Sequence, residues 1–126
     1  MNQPIKKNHI LLVEDDEALS MLTLMFLEQQ DIETVHAKNG DEALLEIAKQ
    51  NYNVIITDLV MPQKDGLAFI TELRKLGNTT PVIVTSGITD DLIHDQLYEL
   101  GIEKIYTKPL LPEVYRELIE HVKQFL

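Results

Sequence analysis

The chain has 126 residues, 44% hydrophobic and 25% charged, with 21 acidic residues against 11 basic ones for a net charge of −10 and no cysteine. This is the size and balance of one globular domain; it excludes disulfides, thiolate metal sites and cysteine nucleophiles, and it argues against binding nucleic acid or anionic membrane through net charge. The apolar runs, about four residues at most, fall far short of the ~20 needed to span a bilayer, and residues 1–7 lack the apolar stretch of a secretory leader, so a soluble, cytoplasmic protein is expected.

Two periodicities alternate along the chain. Ile10-Leu11-Leu12-Val13 reads as a strand covered on both faces. The following helix places Ala18, Leu22 and Met25 at i, i+4 and i+7, with Leu19 and Phe26 beside them, and this stripe is assigned to the core. Glu33-Thr34-Val35-His36-Ala37 is a more polar strand, suited to a sheet edge. Asn39-Gly40-Asp41-Glu42 starts a second helix, with Ala43, Leu44, Ile47 and Ala48 on its apolar face. Asn53-Val54-Ile55-Ile56-Thr57 is a third strand ending at Asp58, and the loop over 59–66 leads to a helix with Leu67, Ile70, Leu73 and Leu76 inward, stopped by Gly77. Pro81-Val82-Ile83-Val84-Thr85 is the fourth strand, followed by a helix over about 90–100 that carries Ile93, Leu97 and Leu100 and stops at Gly101. Residues 103–107 form a short fifth strand, and a last helix from Pro112 buries Leu111, Leu118, Val122 and Phe125.

Strict β-α alternation with short loops implies a parallel sheet with helices on both faces. Ligands of such sheets bind beyond the carboxyl ends of the strands, at the switch in strand order. The polar residues at those ends are Glu14-Asp15-Asp16, Asp58, Ser86 and Lys108-Pro109. Taken singly each has an ordinary reading: a solvated helix start, a loop or cap residue, a turn, a surface lysine. A cis bond before Pro109 would fix the approach of the lysine. Together on one rim, the carboxylates repel unless a cation holds them. A hard divalent ion such as Mg²⁺ answers that repulsion, and a lysine and hydroxyl beside it suit a phosphoryl group with an aspartate as nucleophile. His9, His36, His94 and His121 show no ligand spacing and are read as surface or satisfied residues.

Ile10-Leu11-Leu12-Val13-Glu14-Asp15-Asp16, Asp58-Leu59-Val60-Met61-Pro62-Gln63-Lys64-Asp65-Gly66, Pro81-Val82-Ile83-Val84-Thr85-Ser86-Gly87 and Lys108-Pro109 occur in that order. In this ordered set the chain resembles the response-regulator receiver domains of two-component signalling, over roughly residues 8–126. The resemblance implies one receiver domain over 1–126 with a flavodoxin-like sandwich of five parallel strands, ordered 2-1-3-4-5, and five helices. It implies Asp58 as phosphoacceptor, with Glu14, Asp15, Asp58 and the Val60 backbone carbonyl around Mg²⁺ (or Mn²⁺), Asp15 and Asp58 directly and Glu14 through water. Ser86 takes the switch hydroxyl position, with Thr85 facing the other side of the strand, and Lys108 takes that of the lysine on the phosphoryl oxygens. Asp16 is left outside the acidic pair. The aromatic residue often found three positions before the lysine is replaced by Ile105, with Tyr106 on the opposite face, so the expected aromatic swing is absent or altered.

The implied partners are a histidine kinase or histidine phosphotransfer protein, and an effector or output domain reached through the fourth helix, fifth strand and fifth helix. The protein would be a monomer or a phosphorylation-dependent dimer, not an enzyme in the usual sense. Val60 and Ile88 flank the site with apolar side chains that cannot orient a water, which implies slow loss of the phosphoryl group. The sequence holds no DNA-binding helix pair or second catalytic domain, so the chain is either free-standing or cut from a longer regulator or hybrid kinase. Three alternatives make other demands on the sequence. A flavin carrier of the same fold would need a phosphate-binding loop where Glu14-Asp15-Asp16 stands. An aspartyl-phosphate hydrolase would need a second acid at Val60. A degenerate receiver that binds without phosphorylation would not need the full acid, serine and lysine set.

Overall fold

The computed structural model describes residues 9–61, 65–88, 90–102 and 104–126. Residues 1–8, the Pro62-Gln63-Lys64 stretch of the loop motif and Glu103, where the sequence reading starts its fifth strand, lie outside the described residues. Strands and helices alternate as β1 His9–Val13, α1 Glu17–Glu28, β2 Glu33–Ala37, α2 Gly40–Lys49, β3 Val54–Asp58, α3 Gly66–Lys75, β4 Val82–Ser86, α4 Asp91–Glu99, β5 Ile105–Thr107 and α5 Pro112–Lys123. The strands form one parallel sheet in the order β2-β1-β3-β4-β5, as expected, with β2 at an edge. The third and fourth strands run one residue later than the sequence reading, so that Asp58 and Ser86 are the last residues of their strands.

Alternation along each strand divides the core into two. Leu11, Val13, Ile55, Val82 and Val84 pack with Ala43 of α2, Phe69, Ile70 and Leu73 of α3 and Leu97 of α4. Ile10, Leu12, Val54, Ile56 and Ile83 pack on the other face with Leu27 of α1 and Tyr115, Leu118, Ile119 and Val122 of α5. Burial on both faces is why the central strands read as unbroken apolar runs. Among the described residues no helix is long and apolar enough to cross a membrane.

The inward face of α1 differs from the expected one. Ser20, Thr23 and Leu27 are buried, whereas Ala18, Leu22 and Met25 face outward, with Met21 70% exposed. Both stripes have helical spacing, and the buried one carries hydroxyls because each finds a partner. Thr23 Oγ1 and Tyr115 Oη lie 3.0 Å apart, joining α1 to α5, and Ser20 Oγ donates to the Glu17 carbonyl at 2.9 Å. Phe26 stacks on the Tyr115 ring, with centroids 4.6 Å apart. Three other expected core residues also lie at the surface: Ala48 at the end of α2, and Leu76 and Leu111, which flank α3 and α5 beyond their packed turns.

Helix ends follow local chemistry. Asp16, Asn39, Asp65 and Asp90 cap α1, α2, α3 and α4, each side chain accepting a first-turn amide. Gly77 and Gly101 adopt positive φ after α3 and α4, and their amides return to the Arg74 and Tyr98 carbonyls at 3.0 Å. Asp31 takes the same left-handed role after α1, with φ of 56°.

Candidate functional site

The site forms where β1 and β3 lie side by side while their outward connections diverge to opposite faces of the sheet. Glu14, one residue past β1, is buried, and its amide donates to the Ala37 carbonyl at 3.0 Å. The His36 ring nitrogen Nε2 lies 2.8 Å from the Glu14 carbonyl, which can only accept, so Nε2 carries the proton. Asp58 ends β3 and is also buried; its Oδ1 accepts the Leu59 amide at 2.7 Å and faces the Val60 amide at 3.4 Å. Lys108 reaches between the two acids, with Nζ 3.0 Å from Glu14 Oε1 and 3.1 Å from Asp58 Oδ2. Its own amide donates to the Ser86 carbonyl at 2.9 Å, which ties the end of β5 to the end of β4. The Lys108–Pro109 peptide is cis.

Glu14, Asp15 and Asp58 bring carboxylate oxygens within 4.8 Å of one another. Asp15 is exposed at the mouth, and Leu19, Val60, Gly87 and Ile88 complete the wall of the cleft. Asp16 lines the same cleft, and its Oδ1 accepts the Leu19 amide at 3.0 Å as the cap of α1. Ser86 is fully buried, and its Oγ accepts the Ile88 amide at 2.9 Å.

The charges do not cancel. Burial pushes the Glu14 carboxyl above the usual carboxylate range, against the pull of its hydrogen bond to Lys108. Burial alone would lower the Lys108 pKa, but the hydrogen bonds and negative charges of Glu14 and Asp58 outweigh it and hold the ammonium protonated above its ordinary range. One lysine is thus shared by two buried carboxylates with a third at the mouth. The residual negative charge on clustered oxygens fits a hard divalent cation.

Two further features were missing from the sequence reading. Gly66 donates its amide to the Leu59 carbonyl at 2.8 Å, and a Cβ on it would collide with the Asp58 carbonyl oxygen and lie 2.8 Å from Leu59 Cα. No side chain therefore fits where α3 passes beneath the end of β3; a glycine directly after a capping Asp was the available signal. The four histidines are all partnered, as expected, yet two of them hold carbonyls at the site: His36 that of Glu14, and His94 Nε2 that of Ile88 at 3.0 Å.

The residue next to the lysine strand behaves as the alternation implies. Ile105 packs against the core cluster on the α2/α3/α4 face, while Tyr106 pairs with Thr85 across the sheet and is buried on the α1/α5 face. Its hydroxyl meets His121 Nδ1 at 3.2 Å and the Glu117 carbonyl at 3.4 Å.

A doubly wound sheet with acids, a hydroxyl and a lysine at its topological switch defines a class of phosphoryl-handling signalling modules. The sequence matches the model of the response regulator receiver domain over residues 10–122, and the chain belongs to that family. It is 33% identical over 119 residues to the transcriptional regulatory protein SrrA of Staphylococcus aureus, covering 94% of this chain and 48% of that protein. It thus spans about half the length of the curated relatives it matches. The Francisella response regulator 1452 receiver domain superposes with a TM-score of 0.85 at 31% identity, over 94% of this chain and 96% of that one. A response regulator receiver protein from Pseudomonas putida gives 0.84 at 27% identity, over 92% and 98%. The chain is a signalling domain of two-component systems, not a classical enzyme, and domains of this family work with histidine kinases and effectors.

Proposed function

We propose that Asp58 is the phosphoacceptor of this receiver domain, that it takes a phosphoryl group from a phosphohistidine on a kinase or phosphotransfer protein in the cytoplasm, and that Glu14, Asp15, Asp58 and the Val60 carbonyl hold Mg²⁺ for the reaction. The observation that carries this reading is the placement of Lys108 Nζ between Glu14 Oε1 and Asp58 Oδ2, at 3.0 and 3.1 Å, on the rim that also holds Ser86. Bound Mg²⁺, for which Mn²⁺ can substitute, supplies positive charge beside the transferring phosphoryl oxygens.

The chain's own groups do the rest. The Leu59 amide on Oδ1 and Lys108 on Oδ2 orient the Asp58 carboxylate. A carboxylate oxygen forms the new P–O bond as the P–N bond of the donor phosphohistidine breaks, and the electron pair leaves with the imidazole. The Lys108 ammonium then shifts its hydrogen bond toward a phosphoryl oxygen, where its charge is worth most in the transition state. Ser86 Oγ, already accepting from Ile88, keeps its own proton free to donate to another phosphoryl oxygen. The added charge of about −1.5 to −2 shifts Ser86 and the turn after it, and α4, β5 and α5 carry the output to an effector or a second copy of the domain.

Intact-mass measurement after incubation with a small acyl-phosphate donor tests the reading. A single Mg²⁺-dependent phosphoryl adduct is expected on the wild type and none on Asp58→Asn. A folded wild type that takes up no phosphoryl group, or an Asp58→Asn variant that still does, refutes it.

A further inference from the structure

The peptide units of Ile88 are held on both sides. The amide of Ile88 donates to Ser86 Oγ at 2.9 Å, and the Ile88 carbonyl accepts from His94 Nε2 at 3.0 Å. A carbonyl cannot donate, so His94 is in the tautomer with its proton on Nε2. His94 lies within the first turns of α4, its amide bonded to the Asp90 carbonyl at 3.1 Å, and its ring reaches back over the start of the helix. Ile88 lines the acidic cleft and also packs against the core cluster that includes Leu97 of α4. A continuous chain of contacts therefore runs from the Ser86 hydroxyl through one peptide unit on each side of Ile88 to the His94 ring. On the same face of the sheet Ile105 offers no hydroxyl or aromatic ring that could report the position of Ser86.

We infer that His94 is a positioning residue for the phosphoryl switch: its hydrogen bond to the Ile88 carbonyl holds Ile88 in the resting arrangement, and through Ile88 it sets how readily Ser86 moves to the phosphoryl group. The inference rests on the phosphoacceptor reading of Asp58 and adds to it a regulatory residue on α4. When Ser86 turns its hydroxyl to a phosphoryl oxygen, the Ile88 amide follows or loses its acceptor. Where it follows, the Ile88 carbonyl is displaced against the His94 ring, and α4 feels the state of Asp58. The energy of one partly buried hydrogen bond sets the scale of the bias.

The test uses the 126-residue chain as wild type, His94→Leu, His94→Gln, Ser86→Ala and Ser86→Ala/His94→Leu, with folding checked by circular dichroism. Phosphorylation by a small acyl-phosphate donor is followed by intact mass, and the Ile88 amide and His94 ring nitrogens by ¹⁵N NMR with and without phosphorylation. His94→Leu removes the donor and is expected to speed phosphorylation by about two- to tenfold. His94→Gln keeps an N–H within reach and is expected to return the rate to within about twofold of wild type. The effect of His94→Leu should vanish in the Ser86→Ala background, because the two residues act through one peptide segment. The His94 Nε2 resonance should shift on phosphorylation of the wild type. Equal rates for wild type and His94→Leu, a Gln variant no different from Leu, or an undiminished effect without Ser86 each overturn the inference while leaving Asp58 chemistry standing. Absence of any adduct on the wild type overturns the phosphoacceptor reading, and the inference with it.

Discussion

Lys108 is a single cation placed between two buried carboxylates, and the consequences of removing it separate binding from chemistry. In Lys108→Ala, Glu14 and Asp58 lose the ammonium that competes for their oxygens, so Mg²⁺ affinity measured by titration should rise. The rate of phosphorylation by a small donor should nevertheless fall by roughly 100-fold, the usual effect of losing one charge aimed at the transition state. A parallel fall in both quantities would contradict the role proposed for the lysine. Val60, 62% exposed at the mouth of the cleft, bears on the reverse reaction. Its apolar side chain cannot orient an attacking water, so the phosphoryl group on the wild type should persist for minutes or longer, and Val60→Gln should shorten its life. Decay within seconds in the wild type would sink this expectation. The residues of this rim were legible in the sequence because each stands where an apolar strand stops. Gly66, His36 and His94 were not, because what matters about them is a contact with Asp58, Glu14 or Ile88 that the fold brings about.

Elements show the same division at a larger scale. The positions of the strands could be read from unbroken apolar runs, and the capping residues from Asp and Asn before each helical stripe. The inward face of α1 could not, since Ala18, Leu22 and Met25 keep a helical period as well as Ser20, Thr23 and Leu27 do, and the packed side is the one that carries hydroxyls. Leu27→Ala should therefore cost about 2–5 kcal/mol in denaturant unfolding, whereas Met25→Lys should change stability by less than about 0.5 kcal/mol. The reverse ranking would restore the stripe expected from sequence. After α1, Asp31 is held at a φ of 56°, where glycine stands after α3 and α4. Asp31→Gly should raise stability by about 1 kcal/mol, because a Cβ in the left-handed region is strained; thermal unfolding would show an increase of a few degrees.

For the whole molecule, burial shapes the response to alkali. Tyr52 and Tyr106 are both buried, and burial, joined by the negative charges of Glu46 and Glu117 respectively, pushes both phenols above the ordinary value of 10.0. The unfolded chain therefore releases these protons at a lower pH than the folded protein does. Stability due to the two phenols is complete below about pH 10 and is lost as pH rises through the raised folded values. Urea midpoints measured from pH 9 to 11 should fall for the wild type, and the fall should be shallower in Tyr106→Phe, the variant that removes one of the two groups.

The sequence by itself determined the alternating architecture, the order in which acids, hydroxyl and lysine arrive at the strand ends, and the family those residues mark. These are consequences of period, composition and local capping, which a chain carries without reference to distant parts of itself. The tertiary structure alone decided which face of α1 turns inward, that Lys108 meets Glu14 and Asp58 at once, that Tyr106 is committed to α5, and that Ile88 is gripped by both Ser86 and His94. The first three depend on the parallel sheet bringing together separate segments of the chain, and the last, though its partners are only two and six residues apart, on how the Ser86 hydroxyl and the His94 ring are turned, which no sequence period records.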